Sequence, residues 1–210
     1  PSFTRCRIKT NLSAGLSASS GTVQLLDCII EDNDFFGLEI VQNQSQTTQT
    51  QIENCLLQNN QVAGMRISGA YNDALITGCE IFQNAYGGYG IGTDSNAVPI
   101  IGGSPDDANV FSGQEYGLVN NSSSVCINAQ YNYWEQAGGP LDLQDLVDDC
   151  MNTDNLNVGA CRVSEDVDYS NWIDQPFPPT PTPAPCDNDG DVNADGSITP
   201  GDAQLAFMIT

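Results

Sequence analysis

Short apolar alternations, not helical stripes, organise the first half of the chain. Around Cys28 they read Cys28-x-Ile30 and then Leu38-x-Ile40; around Cys55 they read Cys55-x-Leu57 and then Met65-x-Ile67. Alternation with period two predicts strands only a few residues long. Each pair of alternations belongs to a phrase that occurs four times with fixed internal spacing. The copies are Cys6-x-Ile8-x-x-Asn11-x-x-x-Gly15-Leu16, Cys28-x-Ile30-x-x-Asn33-x-x-x-Gly37-Leu38, Cys55-x-Leu57-x-x-Asn60-x-x-x-Gly64-Met65 and Cys79-x-Ile81-x-x-Asn84-x-x-x-Gly88-Tyr89. Their Cys slots are 22, 27 and 24 residues apart, while the stretches between copies vary. Periods of this length mark a solenoid. The Asn between the two strands suits a turn, because Asn tolerates the left-handed region and bonds locally to backbone. The Gly before the second strand suits a corner with positive φ. A strand–turn–strand unit of about 25 residues cannot bury its apolar face alone, so the copies must stack. Cys then falls on Cys, Asn on Asn and Gly on Gly, with neighbouring coils about 4.8 Å apart. The expected fold class is all-β: a parallel β-helix solenoid of two strands per repeat, with ladders along its axis.

A fifth, degenerate copy keeps the spacing without Cys or Asn: Ala108-x-Val110-x-x-Gly113-x-x-x-Gly117-Leu118. With it, residues 1–134 resemble the right-handed parallel β-helix superfamily of pectate-lyase-like, secreted solenoids. Two later segments extend the resemblance. Asn132-Tyr133-Trp134-x-x-x-Gly138-Gly139-Pro140 is similar to a segment near the C-terminal end of many bacterial surface solenoids, with Glu135 where Gly is usual. Val163-Ser164-x-x-Val167-Asp168-Tyr169-Ser170-Asn171-Trp172-Ile173 resembles their closing segment, with Asn171 where Pro is usual. The expected organisation is therefore coils over 1–134 and a closing segment over 135–174 that covers strand edges and core at the open end.

The net charge is −22, with no His and only five basic residues: Arg5, Arg7, Lys9, Arg66 and Arg162. A nucleic-acid binder needs a basic footprint, so that class is excluded. A field of this sign also disfavours anionic substrates and anionic membrane surfaces, and leaves divalent cations as the natural partners. The plainer reading of the charge is solvation of an extracellular surface. No run approaches the ~20 apolar residues of a membrane span, and no signal peptide is visible. The chain begins at Pro1 within a coil and stops at Thr210 within a helix pattern, so it is expected to be a piece of a longer protein.

The eight cysteines form two groups. Cys6, Cys28, Cys55 and Cys79 share one inward slot and are expected to be buried free thiols acting as small hydrophobes. A zinc site is the alternative, but stacked strands set ligands in a line where zinc wants a tetrahedron. Cys126, Cys150, Cys161 and Cys186 lie outside the ladder. Cys150 and Cys161 flank an Asn/Asp/Gly loop and are placed to close it as a disulfide in an oxidising compartment, although spacing alone does not fix connectivity.

Residues 175–185 contain six prolines and read as an extended, semi-rigid Pro/Thr linker, with the boundary at 186. Beyond it, over 187–210, oxygen-bearing side chains stand at loop positions 1, 3, 5, 9 and 12: Asp191, Asn193, Asp195, Thr199 and Asp202. Gly196 is at the sharp turn, Ser197 offers its backbone carbonyl, and Ile198 is the apolar anchor. Calcium needs six to eight hard oxygens, and alternating residues of a tight loop aim several at one ion. The expected cofactor is Ca2+, held in a partial EF-hand-like loop–helix; the alternative is an acidic tail. Leu205, Met208 and Ile209 follow at helical spacing. Linker, loop with Asp at position 12 and a single helix resemble the first half of a type I dockerin, which implies a cohesin-like protein partner. Pro200 and Gly201 stand where a Ser/Thr pair often contacts cohesin, a departure that touches cohesin binding and not calcium binding.

Two functional classes remain. The first is a secreted, extracellular surface or carbohydrate-associated protein with a calcium-dependent docking module. The second, which the superfamily resemblance implies, is a polysaccharide lyase or glycosidase whose catalytic coils are expected to lie mostly outside this piece of chain. Arg7-Ile8-Lys9 resembles a substrate-binding motif of polygalacturonases, but its usual acidic and His partners do not accompany it. Without His, no nucleophile–His pair exists. The outward slots after each Gly–apolar pair read Ser17, Glu39, Arg66 and Gly90, so Glu39 and Arg66 are expected to form a surface ion pair. Asp27, Glu31, Asp32 and Asp34 crowd one coil, as an acidic turn or a weak calcium site.

Overall fold

A computed structural model describes residues 1–42, 45, 49–84, 88–122, 124–142, 150, 160–164 and 166–176. These residues form a parallel β-solenoid in which each turn contributes three strands, not two. The first turn holds β1 (Ser2–Thr4), β2 (Arg7–Lys9) and β3 (Leu16–Ala18); the second β4 (Gln24–Leu26), β5 (Ile29–Glu31) and β6 (Phe36–Val41). The third holds β7 (Gln51–Glu53), β8 (Leu56–Gln58) and β9 (Ala63–Ser68); the fourth β10 (Leu75–Thr77), β11 (Glu80–Phe82) and β12 (Tyr89–Asp94). The fifth holds β13 (Ile100–Ile101), β14 (Val110–Ser112) and β15 (Tyr116–Asn120). Then come β16 (Ile127–Asn128), β17 (Tyr133–Trp134), β18 (Arg162–Val163) and β19 (Val167–Asp168). Sheet A runs β1-β4-β7-β10-β13-β16-β19, sheet B β2-β5-β8-β11-β14-β17, and sheet C β3-β6-β9-β12-β15-β18. Every pairing between these strands is parallel. The segment expected to close the solenoid thus also supplies the last strands of sheets A and C.

Three inward columns fill the interior. Sheet A supplies Leu25, Ile52, Ile76 and Ile101, sheet B Ile30, Leu57, Ile81, Phe111 and Trp134, and sheet C Leu38, Met65, Ile91 and Leu118, all fully buried or within 1% of it. The Phe111 and Trp134 rings stack at 4.6 Å between centroids, closing the sheet B column with aromatic area.

Two left-handed residues turn the chain in each early coil. The A-to-B corner is made by Arg5, Asp27, Asn54 and Gly78, and the B-to-C corner by Thr10, Asp32, Asn59, Gln83, Gly113 and Glu135, all at positive φ. The ladder glycines do something different from what the pattern predicts. Gly15, Gly37 and Gly64 have no positive φ. They are required for close approach: a Cβ on Gly37 would lie 2.6 Å from Asn60 Nδ2 and 2.7 Å from the Gly64 carbonyl oxygen. The corner strain sits on residues before the Asn, and the Gly makes room for the Asn amide of the next coil.

The register also corrects the later copies. Gly64 and Met65 align with Gly90 and Ile91, because Met65 pairs with Ile91 and Tyr89 pairs with Ala63. Gly88–Tyr89 therefore lies two residues early. In the fifth turn Ile81 pairs with Phe111, which puts Asn109 in the Cys slot, Gln114 in the Asn slot and Gly113 at the corner.

Candidate functional site

The predicted calcium ligands Asp191, Asn193, Asp195, Ser197, Thr199 and Asp202 lie outside the described residues, as do Cys186 and the linker from 177 onward. The described part carries its chemistry on the outer faces of sheets B and C and at one corner near the end of sheet A.

On sheet C, adjacent strands stack Ser17, Glu39, Arg66 and Gly92 in one outward column; Gly92, not Gly90, is the fourth member. The expected Glu39–Arg66 pair forms, with Arg66 Nη1 2.9 Å from Glu39 Oε1. Arg66 does more: its Nε donates to Asp94 Oδ2 at 2.9 Å, and its guanidinium lies 5.8 Å from the Phe36 ring centre. Ser68 and Ser95 also donate to Asp94, the latter at 2.9 Å. Burial works against charge on Asp94, but the donors Ser68, Ser95 and Arg66 together hold its carboxyl below the usual value. Arg66 is in turn held charged, chiefly by Asp94. Burial pushes the half-buried Tyr89 phenol up. A carboxylate with three donors is a poor proton acceptor, so this column is built for rigidity and charge compensation and not for general-base work. Asp94 escaped sequence reading because two extra residues precede Gly90; the matching of Gly90-Ile91-x-Thr93-Asp94 to Gly64-Met65-x-Ile67-Ser68 was the available signal.

On sheet B, Glu31 is only 3% exposed. Arg7 Nε donates to its Oε1 at 2.6 Å and Gln58 Nε2 to its Oε2 at 2.7 Å. Burial raises its carboxyl, and Gln58 and Arg7 overcome that and hold it below the usual value. Arg7 of the Arg-Ile-Lys segment is therefore committed to a carboxylate of its own chain. The acidic crowd on the same coil does not converge: Asp27 and Asp32 occupy opposite corners, and Asp27 lies 3.8 Å from Arg5.

Three of the four ladder thiols match their expected role, while Cys6 in the first turn is free but only partly buried. Cys28, Cys55 and Cys79 are buried and free, and each donates to the carbonyl two residues earlier at 3.3 Å. Contact with Cys55 and burial push the Cys28 thiol far up. The neighbouring thiol of Cys79 and burial do the same to Cys55, against an opposing bond with Cys28. Such thiols stay protonated and are poor nucleophiles.

The Cys150–Cys161 bridge allowed by spacing is not formed. Cys150 is bonded to Cys126, 24 residues earlier, with Cα atoms 5.8 Å apart. Cys161 is drawn instead into the interior beside sheet C, where it is 1% exposed and its thiol donates to Glu135 Oε2 at 3.3 Å. Burial, then Glu135, pushes that thiol up. Among the described residues, Cys126, Cys150 and Asp166 form the one group of three His, Cys, Asp or Glu side chains whose ligand atoms lie within 4.8 Å of one another.

No helix of the described residues is long and apolar enough to cross a membrane. No protein-family model, curated protein or solved structure matches this chain.

Proposed function

We propose that this chain belongs to a secreted or cell-surface, carbohydrate-associated β-helix protein that docks to a protein partner through a calcium-binding, dockerin-like module in residues 187–210. The observation that carries the reading is the ligand spacing of Asp191, Asn193, Asp195, Thr199 and Asp202 around Gly196, with the Ser197 carbonyl completing the set. The solenoid is the rigid body that such a module would tether, and the Pro/Thr linker sets the distance between them at about 3.1 Å per residue. The Cys126–Cys150 disulfide fits an oxidising compartment. Arg66, Asp94 and Glu31 are tied to partners of their own chain, so a lyase or glycosidase reading would have to place its acid–base chemistry elsewhere. The cohesin-like identity of the partner rests on the dockerin resemblance alone.

Calorimetric titration of the full chain with Ca2+ tests the proposal. Saturable binding in the natural chain, weakened at least about ten-fold by Asp195→Ala, is expected from the loss of a charged ligand. Equal affinity in the variant sinks the assignment.

A further inference from the structure

We infer that Cys126, Cys150 and Asp166 form a site for a thiophilic divalent cation such as Zn2+ when the Cys126–Cys150 disulfide is reduced. In the disulfide form the three ligand atoms lie within 4.8 Å of one another, the two sulfurs bonded together, so the Asp166 carboxylate already stands beside the pair. Two of the ligands are fixed by the sheet and not by the disulfide. Ile127 pairs with Val167, and the Ile127 amide donates to the Asp166 carbonyl at 3.0 Å. Cys126 and Asp166 therefore occupy neighbouring rungs at the edge of sheet A.

Asn120 locks the two rungs together. Its Nδ2 donates to the Val125 carbonyl at 2.8 Å and to the Asp166 carbonyl at 3.1 Å. Its Oδ1 accepts from the Ser122 amide at 3.0 Å and from Thr93 Oγ1 at 3.1 Å. One amide thus ties down the backbone beside both ligands and is itself anchored. Cys150 completes the set from a separate stretch of chain.

Two thiolates and one carboxylate suit zinc, which takes sulfur and oxygen ligands in a tetrahedron and tolerates water in a fourth position. Calcium, a hard cation, is rejected by the sulfurs. The chemistry balances with a small-molecule thiol as reductant. Two RSH give up two electrons and two protons to the S–S bond, leaving RSSR, Cys126-SH and Cys150-SH. Zn2+ then displaces both thiol protons to solvent. Disulfide and metal occupy the same two sulfurs and exclude each other.

The test is a Zn2+ competition titration of the full chain, with excess Ca2+ present to fill hard-oxygen sites, before and after reduction and removal of reductant. One Zn2+ per reduced chain and none at this affinity per oxidised chain is the expected result. Cys126→Ser abolishes the binding, and Asp166→Asn weakens it at least about ten-fold, the effect of disturbing a ligand set. Equal binding by oxidised chain, binding unchanged in Cys126→Ser, or a reduced chain that keeps its β-sheet circular dichroism and takes up no Zn2+ overturns the inference. Loss of the β-sheet signal on reduction alone overturns it too, since Asn120 and the sheet register are claimed to hold the rungs without the disulfide.

Discussion

Sheet B is flanked by two inward columns that solve one packing problem in different ways. On its A side stand Cys6, Cys28, Cys55 and Cys79, and on its C side Asn11, Asn33, Asn60 and Asn84; in the first turn Cys6 is only partly buried and Asn11 is exposed, and the rest are buried. The thiols bond best to the carbonyl two residues back and reach the adjoining coil only through long contacts, Cys28 and Cys79 to the Phe3 and Ile52 carbonyls at 3.6 Å. The amides bond between coils. Asn11 Nδ2 donates to Asn33 Oδ1 at 2.8 Å, Asn33 Nδ2 to Asn60 Oδ1 at 2.8 Å, and Asn60 Nδ2 to Asn84 Oδ1 at 2.9 Å. The thiol column then changes chemistry along its own length. Asn109 and Asn132 take over the slot, and the backbone amide of Cys79 donates to Asn109 Oδ1 at 2.9 Å, whereas that of Cys55 has only Cys79 Sγ at 3.5 Å. The slot demands a small side chain; it does not demand a strong hydrogen bond. The amide column does demand one, because each buried amide leaves its neighbour unpaired when removed.

That difference sets an order of mutational effects. Asn60→Ala is expected to cost most, about 4 kcal/mol, since the backbone and side-chain amides of Asn33 lose the Asn60 Oδ1 acceptor together and the Ile30 carbonyl loses a donor. Urea unfolding with an unchanged slope is the measurement. A loss no larger than that of a single surface bond breaks the claim that the ladder acts between coils.

Gly37→Ala comes next, at about 3 kcal/mol. Its Cβ would approach both the Asn60 amide and the Gly64 carbonyl within 2.7 Å, and an overpacked backbone contact relaxes poorly. The double variant Gly37→Ala with Asn60→Ala sharpens the point. With the amide gone, the added methyl should cost visibly less than in the natural background, a coupling that additive, independent sites would not give.

Cys55→Ala is expected to cost about 1 kcal/mol, the removal of one polarisable atom from a tight site. Should it cost as much as Asn60→Ala, the two columns are equivalent and the contrast drawn above is wrong.

The ladders were legible in sequence because five slots repeat with fixed spacing, and no other arrangement of Cys28, Cys55 and Cys79 or of Asn33, Asn60 and Asn84 satisfies that spacing. Sheet A was not legible. Its strands are three residues or fewer, and each early one buries a single side chain such as Leu25 or Ile52 between exposed polar neighbours such as Gln51 and Glu53, so no alternation exists to detect. The fourth turn was misread by two residues because glycines at 87, 88, 90 and 92 offer several equivalent alignments. Only pairing of Met65 with Ile91 selects one. The glycines themselves carry a double meaning in sequence, positive φ or close approach, and only the neighbour's position separates the two. The Cys126–Cys150 bridge joins residues that no local pattern relates, whereas Asn120 gives no sign in sequence that it spans two turns. The calcium loop remains a reading of ligand spacing.

The smallest expected effects are those of pH, and they divide inside from outside. The amide column carries no charge, so it contributes no pH dependence. On the outer faces, Glu31 and Asp94 titrate below their usual values in the folded chain. A depressed folded value means the unfolded chain binds protons first on acidification. Their stabilisation is fully present above the ordinary carboxylate value of about 4 and is lost as pH falls through the lower folded values. The thiols have the opposite sign. Cys28 and Cys55 are raised in the folded chain, so the stability of burying them neutral is full below the ordinary thiol value of about 8.5 and declines as pH rises beyond it. Unfolding midpoints across pH in the natural chain, Glu31→Gln and Cys55→Ala separate the two limbs. Glu31→Gln should shrink the acid limb, to which Asp94 still contributes, and leave the alkaline one, and Cys55→Ala should shrink the alkaline limb, to which Cys28, Cys161 and Tyr89 still contribute, and leave the acid one. An acid limb in Glu31→Gln that superimposes on the natural one would place the acid sensitivity elsewhere than in the contacts made by Arg7 and Gln58.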